Sequence, residues 1–216
     1  MVNSNVVTFF VLGTIALGFV GFRFLTSSGV LFRRFGIGLA LYALAFAVWS
    51  VIVATQPADL QLWTTLGVLP FGVAHLFHVS AATFDWKQSN RLIALGSAST
   101  FLAVLFVLRT WVFPSTPGFS DGGLFYFNAD PVVTLLYILV FAGAFMPALH
   151  VVSSHIGTRW LAALTRIGFN LVVLGAVVLL ASYDDNMQYV NGFIMGGGFL
   201  GLAVSYLIAR PTPSAR

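Results

Sequence analysis

The chain contains no cysteine and no glutamate, and Lys87 is its single lysine. The first absence excludes disulfides, thiolate metal centres, iron–sulfur clusters and cysteine nucleophiles, and says nothing of redox compartment. The second leaves six aspartates as the only side-chain carboxylates in 216 residues. Charge of both signs is scarce: Lys, Arg and Asp together make 7% of the chain, against roughly a quarter in a soluble domain. A water-facing shell cannot be built from so few charges. Soluble folds are excluded, and lipid is the expected solvent. What fills the space is apolar, with 59% hydrophobic residues and a mean hydropathy of +0.96. The net charge of +4 is spread singly or in pairs between apolar runs. No basic stripe with interleaved aromatics exists, so nucleic acid is not an expected partner.

A helix needs about 20 apolar residues to cross the hydrocarbon core. Seven runs qualify, at about 5–25, 35–55, 61–83, 92–113, 131–153, 159–182 and 188–209. They are continuous and too long for barrel strands, which alternate over ~10 residues. The expectation is an all-α, polytopic membrane protein, a seven-transmembrane-helix bundle forming one membrane domain over 1–216. The leader before the first run carries no positive charge, so that run reads as a retained span and not a cleaved signal. No soluble domain is expected on the chain.

Loop charges set the expected orientation. One set of loops holds Arg23, Arg33, Arg34, Lys87, Arg91, Arg159, Arg210 and Arg216; the other holds Arg109 with Asp59, Asp121, Asp130, Asp184 and Asp185. The positive-inside rule then places the N-terminus outside and the C-terminus inside the cell membrane. One connection is long, the outer loop 114–130, with the run Gly122-Gly123-Leu124-Phe125-Tyr126-Phe127. Its aromatics are expected to rest on the outer headgroups, with a lid over a ligand as the second reading. No stretch of the first half repeats in the second, which leaves a repeat-built transporter unsupported.

Glycine has a packing explanation, because helices in lipid associate where small residues let backbones approach. Gly13, Gly18, Gly21, Gly36 and Gly38 fit it. So do Gly192, Gly196, Gly197 and Gly201 on the last span, where a homo-oligomer or a partner membrane protein is the second reading. Trp49, Trp63, Trp86, Trp111, Trp160, Tyr183 and Tyr189 lie near span ends, as interfacial belts do. Pro70 and Pro147 fall inside spans and are expected to kink them.

Ionisable residues inside a span are costly and mark functional sites by default. His75 and His78 share one face of the third span; His150 lies on the fifth, and Arg166 with Asn170 on one face of the sixth. The three histidines and Arg166 are expected in the inner half of the bilayer, and with Asn170 they make an expected ligand-binding or switch cluster. Asp85 is expected to pair with Arg159 or Arg166 at the inner rim. Arg109, near the outer surface, is expected to snorkel. Haem is an alternative, with His75, His78 and His150 as its ligands; otherwise neither metal nor cofactor is expected. A retinal Schiff base needs a lysine deep in a late span, and Lys87 lies in a loop. There is no Gly-x-Ser-x-Gly elbow, no carboxylate deep in a span to serve as general base, and none to drive a proton-coupled pump.

Residues 33–150 carry a resemblance. Arg33-Arg34-Phe35 opens a small and aromatic second span, Ala40-Leu41-Tyr42-Ala43-Leu44-Ala45-Phe46-Ala47-Val48-Trp49. Leu62-Trp63 begins a third span holding Pro70 and ending Phe77-His78-Val79-Ser80-Ala81-Ala82-Thr83-Phe84. A long aromatic loop and Asp130-Pro131 then lead to Leu136-Tyr137. This order resembles the seven-helix N-terminal sensor region of histidine kinases. The resemblance implies a sensor-like module, and without a kinase output it implies signalling through a partner. The resulting expectation is a non-enzymatic sensor-like or accessory subunit. A haem- or quinone-associated redox subunit is the alternative, and a small-solute transporter the third.

Overall fold

The computed structural model describes residues 3–181 and 185–209, without the side chains of 176–181 and 185–188. Tyr183, Asp184, Arg210 and Arg216 lie outside the described residues. The elements are helices α1 (Ser4–Leu25), α2 (Val30–Thr55), α3 (Leu60–Ala82) and α4 (Gln88–Val107), a π turn (Leu108–Val112), strands β1 (Gly118–Phe119) and β2 (Phe125–Tyr126), then α5 (Pro131–Ser154), α6 (Arg159–Ala181) and α7 (Asp185–Ile208). Six are long and apolar enough to cross a membrane: α1, α2, α3, α4 with its π turn, α5, and α7 from Tyr189. The 23 residues of α6 complete the set of helices.

Polar side chains mark several helix starts, because the first N–H groups of a helix have no partner within it. Asn3 Oδ1 accepts from the backbone N–H of Asn5 at 3.1 Å. Asp59 accepts from Leu62 N at 2.9 Å and Asp130 from Val132 N at 2.8 Å. Two of the scarce carboxylates are therefore helix caps. Pro131 stands in the first turn of α5, where its missing N–H costs nothing. Helix α2 begins at Val30, earlier than its apolar run suggests, so Arg33 and Arg34 lie on the helix and not in a loop.

Helices α1, α2, α3, α5, α6 and α7 pack in sequence, and α7 returns to α1. Helix α4 lies outside this ring, against α3, and Leu105 is its one buried residue. Asn3 Nδ2 donates to Gly122 O at 2.9 Å, tying the chain start to the hairpin end of the bundle. At the opposite end Arg23 Nη2 donates to Ala209 O at 3.2 Å.

Glycine permits the closest approaches. A Cβ on Gly36 would stand 2.8 Å from Leu25 N and 2.9 Å from Gly21 O, so α1 and α2 are in backbone contact there. Gly168 and Gly198 do the same for α6 and α7. The packing explanation fails for Gly192, Gly196, Gly197 and Gly201: nothing lies within 4 Å of where their Cβ atoms would be. They face outward beside Phe193, which is 83% exposed.

Candidate functional site

A column of aromatic rings runs through the bundle. Helix α2 builds it from Phe35, Tyr42 and Trp49, spaced seven apart, with Leu39 and Phe46 between; all five are buried. Steps of three, four and seven keep one helix face, so one stripe of α2 meets α3 and α5. On α3, Phe71, His75 and His78 follow the same spacing, and on α5 Phe141 and Phe145. Tyr42 is the hub, with ring centroids 4.9 Å from Phe71, 5.0 Å from His78 and 5.8 Å from Phe141.

The two histidines on α3 are fixed within this column. The Nδ1–H of His75 donates to Phe71 O at 2.7 Å, leaving its Nε2 a free acceptor. His78 Nδ1 bonds the Tyr42 hydroxyl at 3.2 Å. Its Nε2 lies against Gly38, where an added Cβ would stand 2.5 Å away. Gly67 makes the same room for the Trp49 indole. Trp49 is therefore a core residue, which corrects its assignment to the interfacial belt. Trp86, Trp111, Trp160 and Tyr189 are exposed.

Beyond Tyr42, toward the hairpin end of the bundle, the column opens into a cavity of about 70 Å³. Tyr42, Trp49, Phe71 and Phe141 wall it, and Phe127 and Ala129 cover it from the long loop. That loop forms a β-hairpin, pairing Phe119 with Phe125 antiparallel. Ser120 N donates to Leu124 O and Gly123 N to Ser120 O, both at 2.9 Å. Gly123, at φ +76°, takes the left-handed conformation that glycine adopts without strain. Leu124 and Phe125 are buried, and Phe127 sits edge-on to Trp49 at 5.3 Å. Phe125 and Phe127 thus turn inward over the bundle, where the sequence suggested an interfacial belt.

Arg109 reaches the cavity from the π turn. It was expected to snorkel, yet it is 3% exposed, and neither Nη1 nor Nη2 has a hydrogen-bond partner. Leu105 and Arg109, four apart, make the one inward face of an otherwise peripheral helix. The π turn, closed by Phe113 N donating to Leu108 O at 2.7 Å, holds that face inward. Thr134 also lines the cavity, its hydroxyl buried without a hydrogen-bond partner, and so does Tyr137, which interacts electrostatically with Arg109. No family model, curated protein or solved structure matches this chain. The chemistry of the site must be read from its own atoms.

The structure brings together some of the expected residues and separates others. His75 and His78 stand at the centre of the bundle. His150, Arg166 and Asn170 lie on its outer surface, away from that pair. Arg166 Nε donates to Ser153 Oγ at 2.6 Å, which joins α6 to α5. Asp85 and Arg159 are both exposed, and no ion pair joins Asp85 to Arg159 or Arg166. The described residues contain no group of three or more metal-ligating side chains. His78, with one ring nitrogen bonded and the other against Gly38, does not pair with the exposed His150 across a haem; the Nε2 of His75 is unbonded. Sequence reasoning missed Tyr42, Trp49 and Arg109 as cavity residues. The spacing of seven through Phe35, Tyr42 and Trp49 was a visible signal for the first two.

Proposed function

We propose that the chain is a non-enzymatic membrane protein of seven spans, with its N-terminus outside and C-terminus inside. In this reading it is a sensor-like or accessory subunit that binds a small ligand under the outer loop and acts through a partner. One observation carries it. A cavity lies beneath a structured hairpin, and three of the side chains that line it, Trp49, Arg109 and Thr134, carry buried polar atoms with no hydrogen-bond partner. Buried polar groups are nearly always bonded, and the exceptions concentrate at functional sites. Phe127 and Ala129 couple the loop to any occupant, because they cover the cavity directly. A partner helix finds a ready surface on α7, where Gly192, Gly196, Gly197 and Gly201 leave the backbone bare. Close helix approach in lipid uses such surfaces.

Orientation is tested by cysteine accessibility, since the natural chain has none. Asn5→Cys should react with a membrane-impermeant maleimide in intact cells and Gln88→Cys should not; the reverse pattern inverts the topology. Hydrogen exchange of 114–130 in nanodiscs tests the ligand reading. Small polar-headed lipophiles should protect the hairpin saturably, and a panel that leaves its exchange unchanged sinks the idea. A Soret band in the purified protein would replace this reading with the redox-subunit alternative.

A further inference from the structure

We infer that Arg109 anchors a small lipophilic carboxylate, an acid of the size of butyrate, in the cavity beneath the hairpin. This rests on the ligand-pocket reading above and names the ligand class. The guanidinium is charged at any working pH and presents only donors. Burying an ion without a partner costs several kcal/mol even after relaxation, and Arg109 Nη1 and Nη2 are both buried and unpartnered. The protein leaves them in that state against a cavity whose surface is otherwise almost wholly apolar, so a turn of the Arg109 side chain into it lets the occupant supply the acceptor. A carboxylate matches the fork of a guanidinium with two parallel hydrogen bonds. Thr134 Oγ, also unpartnered, supplies a further donor.

The remaining lining decides the rest of the ligand. Phe71, Phe141 and Val172 face the cavity along with the other aromatic walls, so the body beyond the head group must be apolar. The same lining disfavours a multiply charged anion, whose remaining charge would be buried among aromatic and aliphatic side chains. Size sets the other limit. At roughly 10–15 Å³ of such space for each water-sized group, a cavity of about 70 Å³ takes on the order of five to seven non-hydrogen atoms. A haem or a prenylated quinone is too large to lie wholly within it. A four-carbon acid fits.

The test uses the full chain in nanodiscs at neutral pH, titrated with butyrate and with 1-butanol, a neutral probe of similar size. Binding is followed by ligand-observed NMR. Butyrate should bind saturably, one per chain, and at least tenfold tighter than butanol. Arg109→Met should weaken butyrate at least tenfold and leave butanol within about twofold. Should that variant fail to insert, Arg109→Lys keeps the charge and loses the fork, and it should also weaken butyrate. Equal binding of both probes to wild type, or an Arg109→Met protein that holds butyrate as tightly, overturns the carboxylate assignment and leaves the pocket reading standing. If neither probe binds, water solvates Arg109 and both readings fall.

Discussion

His78 and Arg109 are buried almost equally, at 0% and 3% exposure, but the surroundings treat them in opposite ways. His78 lies where α2, α3 and α5 meet, with Tyr42 on one nitrogen, Gly38 against the other, and Phe35 and Phe145 across its faces. Its Nε2 also has no hydrogen-bond partner, but the ring is packed among these side chains. Arg109 comes from the one helix outside the ring and meets a space. A neutral imidazole can be built into a core as a packed ring with one hydrogen bond. A guanidinium cannot, because its charge has to be answered by another group. The difference separates a structural polar residue from one that calls for a ligand.

Four experiments bear on that contrast, each read by unfolding in mixed micelles. The largest change is expected for His78→Ala, which removes a close-packed ring and leaves a void; stability should fall by about 3 kcal/mol. A negligible loss would mean that the histidine is not packed as described. The glycines come next. Gly38→Ala should cost about 2 kcal/mol through overpacking against His78, while Gly197→Ala, in open space, should stay within about 0.5 kcal/mol. Equal effects would erase the distinction between the fitted interior and the bare face of α7. Arg109→Met should stabilise the ligand-free protein by about 1–2 kcal/mol, since an apolar side chain of similar length carries no buried charge. A loss of stability there would show that Arg109 has a partner within the fold. Smallest is Tyr42→Phe, which deletes the hydroxyl bonded to His78 and should cost about 1 kcal/mol.

Much of the fold was legible along the chain, and much of the site was not. The limits of α3 and α5 fall within a residue of their apolar runs. Length and hydropathy are local properties, and lipid makes them decisive. Arg109 shows where that reading stops. Its closeness to a span end suggested solvent, and only the π turn and the position of α4 against α3 turn it inward. Trp49 shows the same from the other side: a tryptophan near a span end became core because Gly67 makes room for it. His150 and Arg166 were grouped with His75 and His78 by depth. Depth is readable from residue number, but the rotation of each helix about its axis is not.

The sequence by itself determined that the chain is helical, that most of its helices are long and apolar enough to cross a membrane, and where most of them begin and end. Tertiary structure decided which polar residues share the interior. In water an apolar stripe reveals the buried face of a helix. In lipid both faces are apolar, so the stripe carries no such information, and facing surfaces are selected by packing of small and large side chains. Gly38 beneath His78, Gly67 beneath Trp49 and the opening before Arg109 are products of that packing. They exist only once the helices have met.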